Sequence, residues 1–85
     1  MGAVEVIKQL WLSEKSFMLA ERENKLVFLV DRSANKPTIK RAVEEKYGVK
    51  VDRVWTMNTK HGKKAIVKLA EGYSAEEILI RLGVI

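Results

Sequence analysis

Apolar positions in this 85-residue chain follow two rhythms, short unbroken runs and stripes three or four residues apart, and the two alternate along its length. The apolar run from Val4 to Leu12 predicts a first strand. Ser13 then supplies an N-cap for a helix reaching about Glu23, and Asn24 suits the stop. Leu26-Val27-Phe28-Leu29-Val30 is apolar at every position rather than at alternate ones, which predicts a central strand covered on both faces. Asp31 to Asn35 is a polar loop. Beyond it Ile39, Ala42, Val43 and Tyr47 recur at helical spacing and form one apolar stripe. Asn35 or Lys36 can cap that helix, Pro37 suits its first turn, and Gly48 suits a left-handed exit. Val49 to Thr59 predicts a third strand, Lys60-His61-Gly62-Lys63 a hairpin turn, and Lys64 to Leu69 a fourth strand. A last helix over 75–82 has a capping box in Ser74 and Glu77, an apolar face of Ile78, Leu79 and Leu82, and Arg81 in its final turn before Gly83.

The resulting order is strand-helix-strand-helix-strand-strand-helix. A right-handed crossover through residues 36–47 sets strands two and three parallel, and the hairpin's return strand then fits between them, antiparallel to both. The expected fold is α+β: a four-stranded mixed, mostly antiparallel sheet with helices packed on both faces. No linker, repeat or low-complexity tract interrupts the chain, and Pro37 is its only proline, so residues 1–85 read as a single domain.

Charge changes the picture most in the second helix. A helix optimised for stability carries acids in its first turn and bases in its last, because the macrodipole rewards that arrangement by roughly 0.3–1 kcal/mol per charge. Here Lys36, Lys40 and Arg41 stand near the start, while Glu44 and Glu45 stand toward the end. The closing helix, with Glu76 and Glu77 first and Arg81 last, follows the ordinary rule and serves as an internal control. An anion at the positive end would offset the reversed charges, and nucleic-acid phosphate is the leading candidate. A plain solvated face is the alternative reading. Over the whole chain the net charge is +5, unevenly placed. Residues 1–31 carry −1, residues 32–68 carry +8, and residues 69–85 carry −2. That central concentration has the form of a nucleic-acid footprint. A membrane surface would also attract it, but the segment lacks the bulky apolar face of an interfacial helix.

Several function classes fall away. No run of about 18 apolar residues exists to span a membrane. The amino-terminal M-G-A-V-E-V-I-K has neither a signal-peptide layout nor the Ser or Thr of a myristoylation signal. With no cysteine there is no disulfide or thiolate metal site, which suits a reducing cytosol. His61 is the only histidine, and Glu44-Glu45 and Glu76-Glu77 are neighbours on helices whose side chains diverge, so neither a catalytic dyad nor a metal set is in view. No glycine-rich phosphate loop is present. Enzymatic activity and cofactors are therefore not expected.

Binding chemistry is better represented. Arg32, Lys36, Lys40 and Arg41 lie in the basic segment, and Lys60, His61, Lys63 and Lys64 cluster around the hairpin turn as a positive tip. Arg53, Trp55 and Met57 alternate on one face of the third strand. Trp55 beside Arg53 can stack on an unpaired base, or can pack beneath the turn. Trp11 reads as core, and Lys8, Arg22 and Lys25 read as solvated surface.

The blocks L-S-E-K at 12–15, F-L-V at 28–30, A-N-K-P-T-I-K-R-A-V-E at 34–44 and V-K-V at 49–51 resemble the universal ribosomal protein twenty-three family of the large subunit. K-K-A-I-V-K-L at 63–69 and Y-S-A-E-E-I-L-I-R-L-G at 73–83 extend the likeness over nearly the whole chain; the ending is similar to the archaeal and eukaryotic branch, and the missing long basic amino-terminal extension of eukaryotic members favours the archaeal type. The resemblance implies a cytoplasmic protein within the ribosome, bound to large-subunit ribosomal RNA at the rim of the polypeptide exit tunnel. It also implies contact with the neighbouring ribosomal protein twenty-nine, and docking of the signal recognition particle and nascent-chain chaperones. By resemblance to bacterial relatives, whose S-E-K glutamate carries much of that docking, it falls to Ser13 and Glu14, where Glu14 equally suits the helix dipole as a first-turn acid. Two features depart from the family: Leu10 stands where a proline is frequent, and Thr59 to Lys63 is too short a connection to reach into the tunnel. The second reading is a free-standing RNA or DNA chaperone using the same basic face, and the third a small enzyme.

Overall fold

The computed structural model describes residues 5–85; Met1 to Val4, which include the first residue of the expected first strand and part of the segment read for a leader or lipidation signal, lie outside it. Its elements are β1 (Ile7–Leu10), α1 (Glu14–Glu23), β2 (Lys25–Val30), α2 (Lys36–Tyr47), β3 (Val51–Thr59), β4 (Gly62–Leu69) and α3 (Ala75–Arg81). They form one four-stranded sheet in the order β1-β2-β4-β3. The return strand β4 does lie between β2 and β3, as the crossover argument requires. Every hydrogen-bonded pair is antiparallel, so β2 and β3 are parallel in direction without being partners.

Burial follows the pleat. Leu26, Phe28 and Val30 of β2, Ala65, Val67 and Leu69 of β4, and Val51 and Val54 of β3 turn toward one core. Ile39 and Val43 of α2, Ala20 of α1, and Ala75, Ile78 and Leu79 of α3 join the same core. Tyr47, from the last turn of α2, stacks on Phe28 with ring centroids 5.8 Å apart, and burial raises its phenol pKa. The unbroken apolar run of β2 predicts a helix on each face, but the second face is covered by other means. Val27, on that side, shares a hollow with Trp11, Ile66 and the aliphatic part of Lys64, while α1 borders it only through Ser13, Lys15, Ser16 and Leu19. Snorkelling side chains and one tryptophan therefore cover what a full helix layer would.

Caps and bulges decide the details. Ser13 and Ser16 form a reciprocal capping box at α1: the Ser13 hydroxyl accepts from the Ser16 N–H, and the Ser16 hydroxyl from the Ser13 N–H. At α3 the box read from the sequence is half made. Ser74 Oγ accepts from the Glu77 N–H at 3.1 Å, whereas the Glu77 carboxylate approaches Arg81 at 3.7 Å. Asn35 rather than Lys36 caps α2, and Gly48 closes it at φ 66°. An extra residue at Asp52 makes a bulge between Val51 and Arg53. Because side chains alternate, that single insertion lets Val51 and Val54 both face the core while Arg53, Trp55 and Met57 share the opposite face.

One of the two acids near the end of α2 has a structural reason. Glu44 Oε2 accepts the Val51 N–H at 2.9 Å, so its carboxylate ties α2 to the first residue of β3. Glu44→Ala leaves that part-buried donor without a partner, a loss of about 1–3 kcal/mol in unfolding free energy. Glu44→Gln keeps a carbonyl acceptor and is expected to retain most of it. Equal denaturation midpoints for Glu44→Ala and the unaltered protein would refute the tie.

Candidate nucleic-acid interface

The face of the sheet away from the core carries three cross-strand rows. Lys25 of β2, Lys68 of β4 and Arg53 of β3 stand in register in the first, Val27, Ile66 and Trp55 in the second, and Leu29, Lys64 and Met57 in the third. The first row sets three cations side by side. Like charges directly opposite one another disfavour a sheet by about 0.2–1 kcal/mol per pair, so the row concedes stability for some other use.

Trp55 is held inside this face rather than buried under the turn. The Lys25 ammonium lies 4.5 Å from its ring centroid, and the Arg53 guanidinium 5.5 Å. Lys25 also donates to Glu23 Oε1 at 2.7 Å, and its side chain is only 18% exposed, which corrects its reading as solvated surface. Trp11 is corrected likewise. It is half-buried on this face with its ring under the Lys64 ammonium at 3.8 Å, and its centroid lies 5.0 Å from that of His61.

The predicted positive tip is divided by the same alternation. Thr59 pairs with Gly62, leaving Lys60 and His61 as a two-residue turn. The hydroxyl of Thr59 donates to the Gly62 carbonyl and accepts from the His61 N–H, which holds the turn shut. Lys64 then points to the open face, while the Lys63 ammonium turns the other way and donates to the Ala34 carbonyl at 2.7 Å, just before α2. Lys63 and Arg32 line one hollow with Asn58, Thr59 and Gly62. Lys36, Lys40 and Arg41 are exposed on α2 beyond it. The sequence-read residues thus fall into two groups: Arg53, Trp55, His61 and Lys64 on the open sheet face, and Arg32, Lys36, Lys40, Arg41 and Lys63 around the start of α2, with Lys60 at the turn. Lys25, Lys68 and Trp11 belong to the first group and were not read from the sequence as binding residues. The period-two spacing of Lys64, Ile66 and Lys68 carries the signal for Lys68, but Lys25 and Trp11 join only through strand pairing.

Two carboxylates mark how the positive charge is felt. Glu23 has a lowered pKa, first through its hydrogen bond from Lys25, then through the charges of Lys25 and Lys68, with burial opposing. Asp31 is lowered by hydrogen bonds from the Ser33 hydroxyl and backbone N–H, with burial opposing and Lys8 and Lys63 assisting. A folded-state pKa below the unfolded one contributes stability above the unfolded value, near 4.5 for Glu23 and 3.8 for Asp31, and loses it as pH falls through the folded value. Stability measured by urea denaturation should therefore fall from pH 5 toward pH 2, and Glu23→Gln with Asp31→Asn should flatten that slope. An unchanged slope would remove both groups from the acid response.

Ser13 and Glu14 stand at the start of α1. Ser13 is committed to the cap, and Glu14 is exposed. Glu14 lines an apolar hollow between α1 and α3 with Phe17, Met18, Leu79 and Ile85, rimmed by Glu21 and Glu76.

Comparison with known sequences decides the family. The sequence model described as ribosomal protein L23 matches residues 5–64. The chain belongs to the ribosomal protein L23 family. Among curated relatives, the large ribosomal subunit protein uL23 of Thermoplasma acidophilum is 58% identical over 72 residues, covering 85% of this chain and 86% of that one. That of Picrophilus torridus is 49% identical over 73 residues, covering 86% and 89%. Both relatives support the archaeal type of the L23 family, and both are ribosomal proteins rather than enzymes. The family match ends at residue 64, within β4, so Lys68 and the whole of α3 lie past it.

Proposed function

We propose that this chain is a structural constituent of the large ribosomal subunit, binding large-subunit ribosomal RNA near the polypeptide exit tunnel. It works in the cytoplasm as part of the ribosome. The observation that carries the RNA reading is the Lys25–Lys68–Arg53 row, three cations in register across three strands beside Trp55. Phosphates offset that repulsion, and contacts of this kind position a protein on RNA without reading sequence. Arg32, Lys36, Lys40, Arg41 and Lys63 around the start of α2, with Lys60 and His61 at the turn, form a second phosphate-binding region.

The α1–α3 hollow faces other proteins. Glu14, at the rim of the α1–α3 hollow with Glu21 and Glu76, suits a basic partner among the signal recognition particle and nascent-chain chaperones. The neighbouring ribosomal protein twenty-nine is a further partner on family grounds.

Co-sedimentation with large subunits lacking this protein, at moderate salt, tests the reading. Stoichiometric recovery in the particle is expected. Recovery only with free RNA, in proportion to RNA length, would instead fit a free-standing chaperone. Replacing Lys36, Lys40 and Arg41 together by Gln should lower the slope of log K against log salt by about 2–3, with folding stability unchanged or slightly raised. An unchanged slope would take the start of α2 out of the interface.

A further inference from the structure

The hollow beneath Trp11 is set apart by an aromatic and apolar lining with cationic rims; the hollow of Arg32 and Lys63 also lacks a carboxylate but holds no aromatic ring. The Trp11 hollow has a volume of about 140 Å³ and is lined by Trp11, Leu19, Val27, Met57 and Ile66 with Lys15 and Lys64, and no carboxylate lines it. The hollow beside Trp55 includes Glu23 and Asp52, and the one between α1 and α3 includes Glu14, Glu21 and Glu76. An apolar floor, an indole wall and cationic rims without an acid match one kind of occupant: a flat aromatic ring attached to an anion. We propose that this hollow takes a single unpaired nucleobase of the bound RNA, stacked on Trp11, with its phosphate held by Lys64 and Lys15. The proposal rests on the RNA-binding reading above and adds to it a site for one extruded nucleotide.

The local geometry supports an exchange. In the free protein the Lys64 ammonium rests 3.8 Å from the centroid of the Trp11 ring, and His61 lies beside the same indole. Lys64 is the cross-strand partner of Leu29 and Met57, so its stem is anchored while its flexible end can swing from ring to phosphate. A base then takes the indole face that the ammonium leaves, trading a cation–π contact for stacking and gaining a charge-assisted contact to the phosphate. Ser16 and Ser13 of α1 close the far wall, and both hydroxyls are committed to the capping box, so the wall is rigid.

The test uses the full chain and two RNA hairpins of equal length and charge, one fully paired and one with a single-nucleotide bulge. The bulged hairpin is expected to bind about tenfold more tightly, within the range for stacking of one base. Trp11→Leu should abolish that preference without changing the salt slope, because it removes no charge, and Trp11→Phe should keep part of the preference. In a Trp55→Phe background, Trp11 is the sole indole of the two, and its emission should be quenched saturably by the bulged hairpin alone. Emission that stays unchanged at saturation, or a tenfold preference that survives Trp11→Leu, would overturn the site while leaving phosphate binding untouched. Should neither hairpin bind with salt-dependent affinity, the RNA-binding reading itself falls.

Discussion

Replacing Lys25, Arg53 and Lys68 together by Gln should weaken binding to large-subunit ribosomal RNA on the order of 10²-fold at 0.1 M salt. The slope of log K against log salt should fall by about 2–3, since each phosphate contact contributes about 0.9 on a duplex and 0.7 on a single strand. These three cations stand in one row across β2, β4 and β3, so the proposed RNA contact would engage them as a unit. Their removal should cost the isolated protein little. The row itself disfavours the sheet by about 0.2–1 kcal/mol per like-charged pair, and relief of that term opposes the lost contacts of Lys25 with Glu23 and Trp55. The combination of a large affinity loss, a shallower salt slope and a nearly unchanged melting temperature is the signature expected. A variant that binds less tightly with an unaltered slope would show that the residues act through folding instead. A variant that binds normally would remove the open sheet face from the interface.

The largest stability effect is expected at Asn24. This residue ends α1 in the left-handed conformation at φ 58°, the only non-glycine with positive φ among the described residues. Its side chain reaches the turn before α3 and α3 itself: Nδ2 donates to the Tyr73 carbonyl at 2.8 Å, and Oδ1 accepts the Ala75 N–H at 2.7 Å. Its backbone carbonyl also accepts the Leu69 N–H at 3.0 Å. One residue thus ties the end of α1 to the end of β4 and the start of α3. Asn24→Ala removes both side-chain bonds, at about 0.5–1.5 kcal/mol each, and leaves a left-handed alanine at about 1–2 kcal/mol. A total loss of about 2–5 kcal/mol should lower the melting temperature by roughly 8–40 °C, since 1 kcal/mol shifts a domain of this size by about 4–8 °C. Asn24→Gly separates the two causes, because glycine accepts the left-handed backbone and still lacks the bonds. It should recover roughly a third to a half of the loss. A drop under about 1 kcal/mol for Asn24→Ala would mean that α3 is held by its apolar face alone.

Much of this fold was legible in the residues themselves. The helix from Lys36 to Tyr47, its start at Asn35 or Lys36 and its exit at Gly48 follow from apolar spacing and terminal residue types, which are local properties of a few neighbouring positions. The place of β4 between β2 and β3 follows as well, because a crossover and a tight hairpin leave little topological choice. The reversed charges of α2 and the basic middle of the chain are visible in one dimension for the same reason. What the sequence could not decide depends on which strand lies beside which, and in what register. The bulge at Asp52 turns Val51 inward and Arg53 outward, and no local preference of V-D-R-V announces it. Strand pairing brings Lys25 from β2 beside Lys68 and Arg53, residues far from it in the chain, and it lifts Trp11 out of the expected core onto the open face with Lys64. It also sends Lys63 and Lys64 to opposite sides of the sheet, although they are neighbours in the chain. Local structure is set by steric and capping terms acting over three or four residues, whereas the proposed binding surface is a set of cross-strand neighbours chosen by packing. Only the folded sheet makes them adjacent.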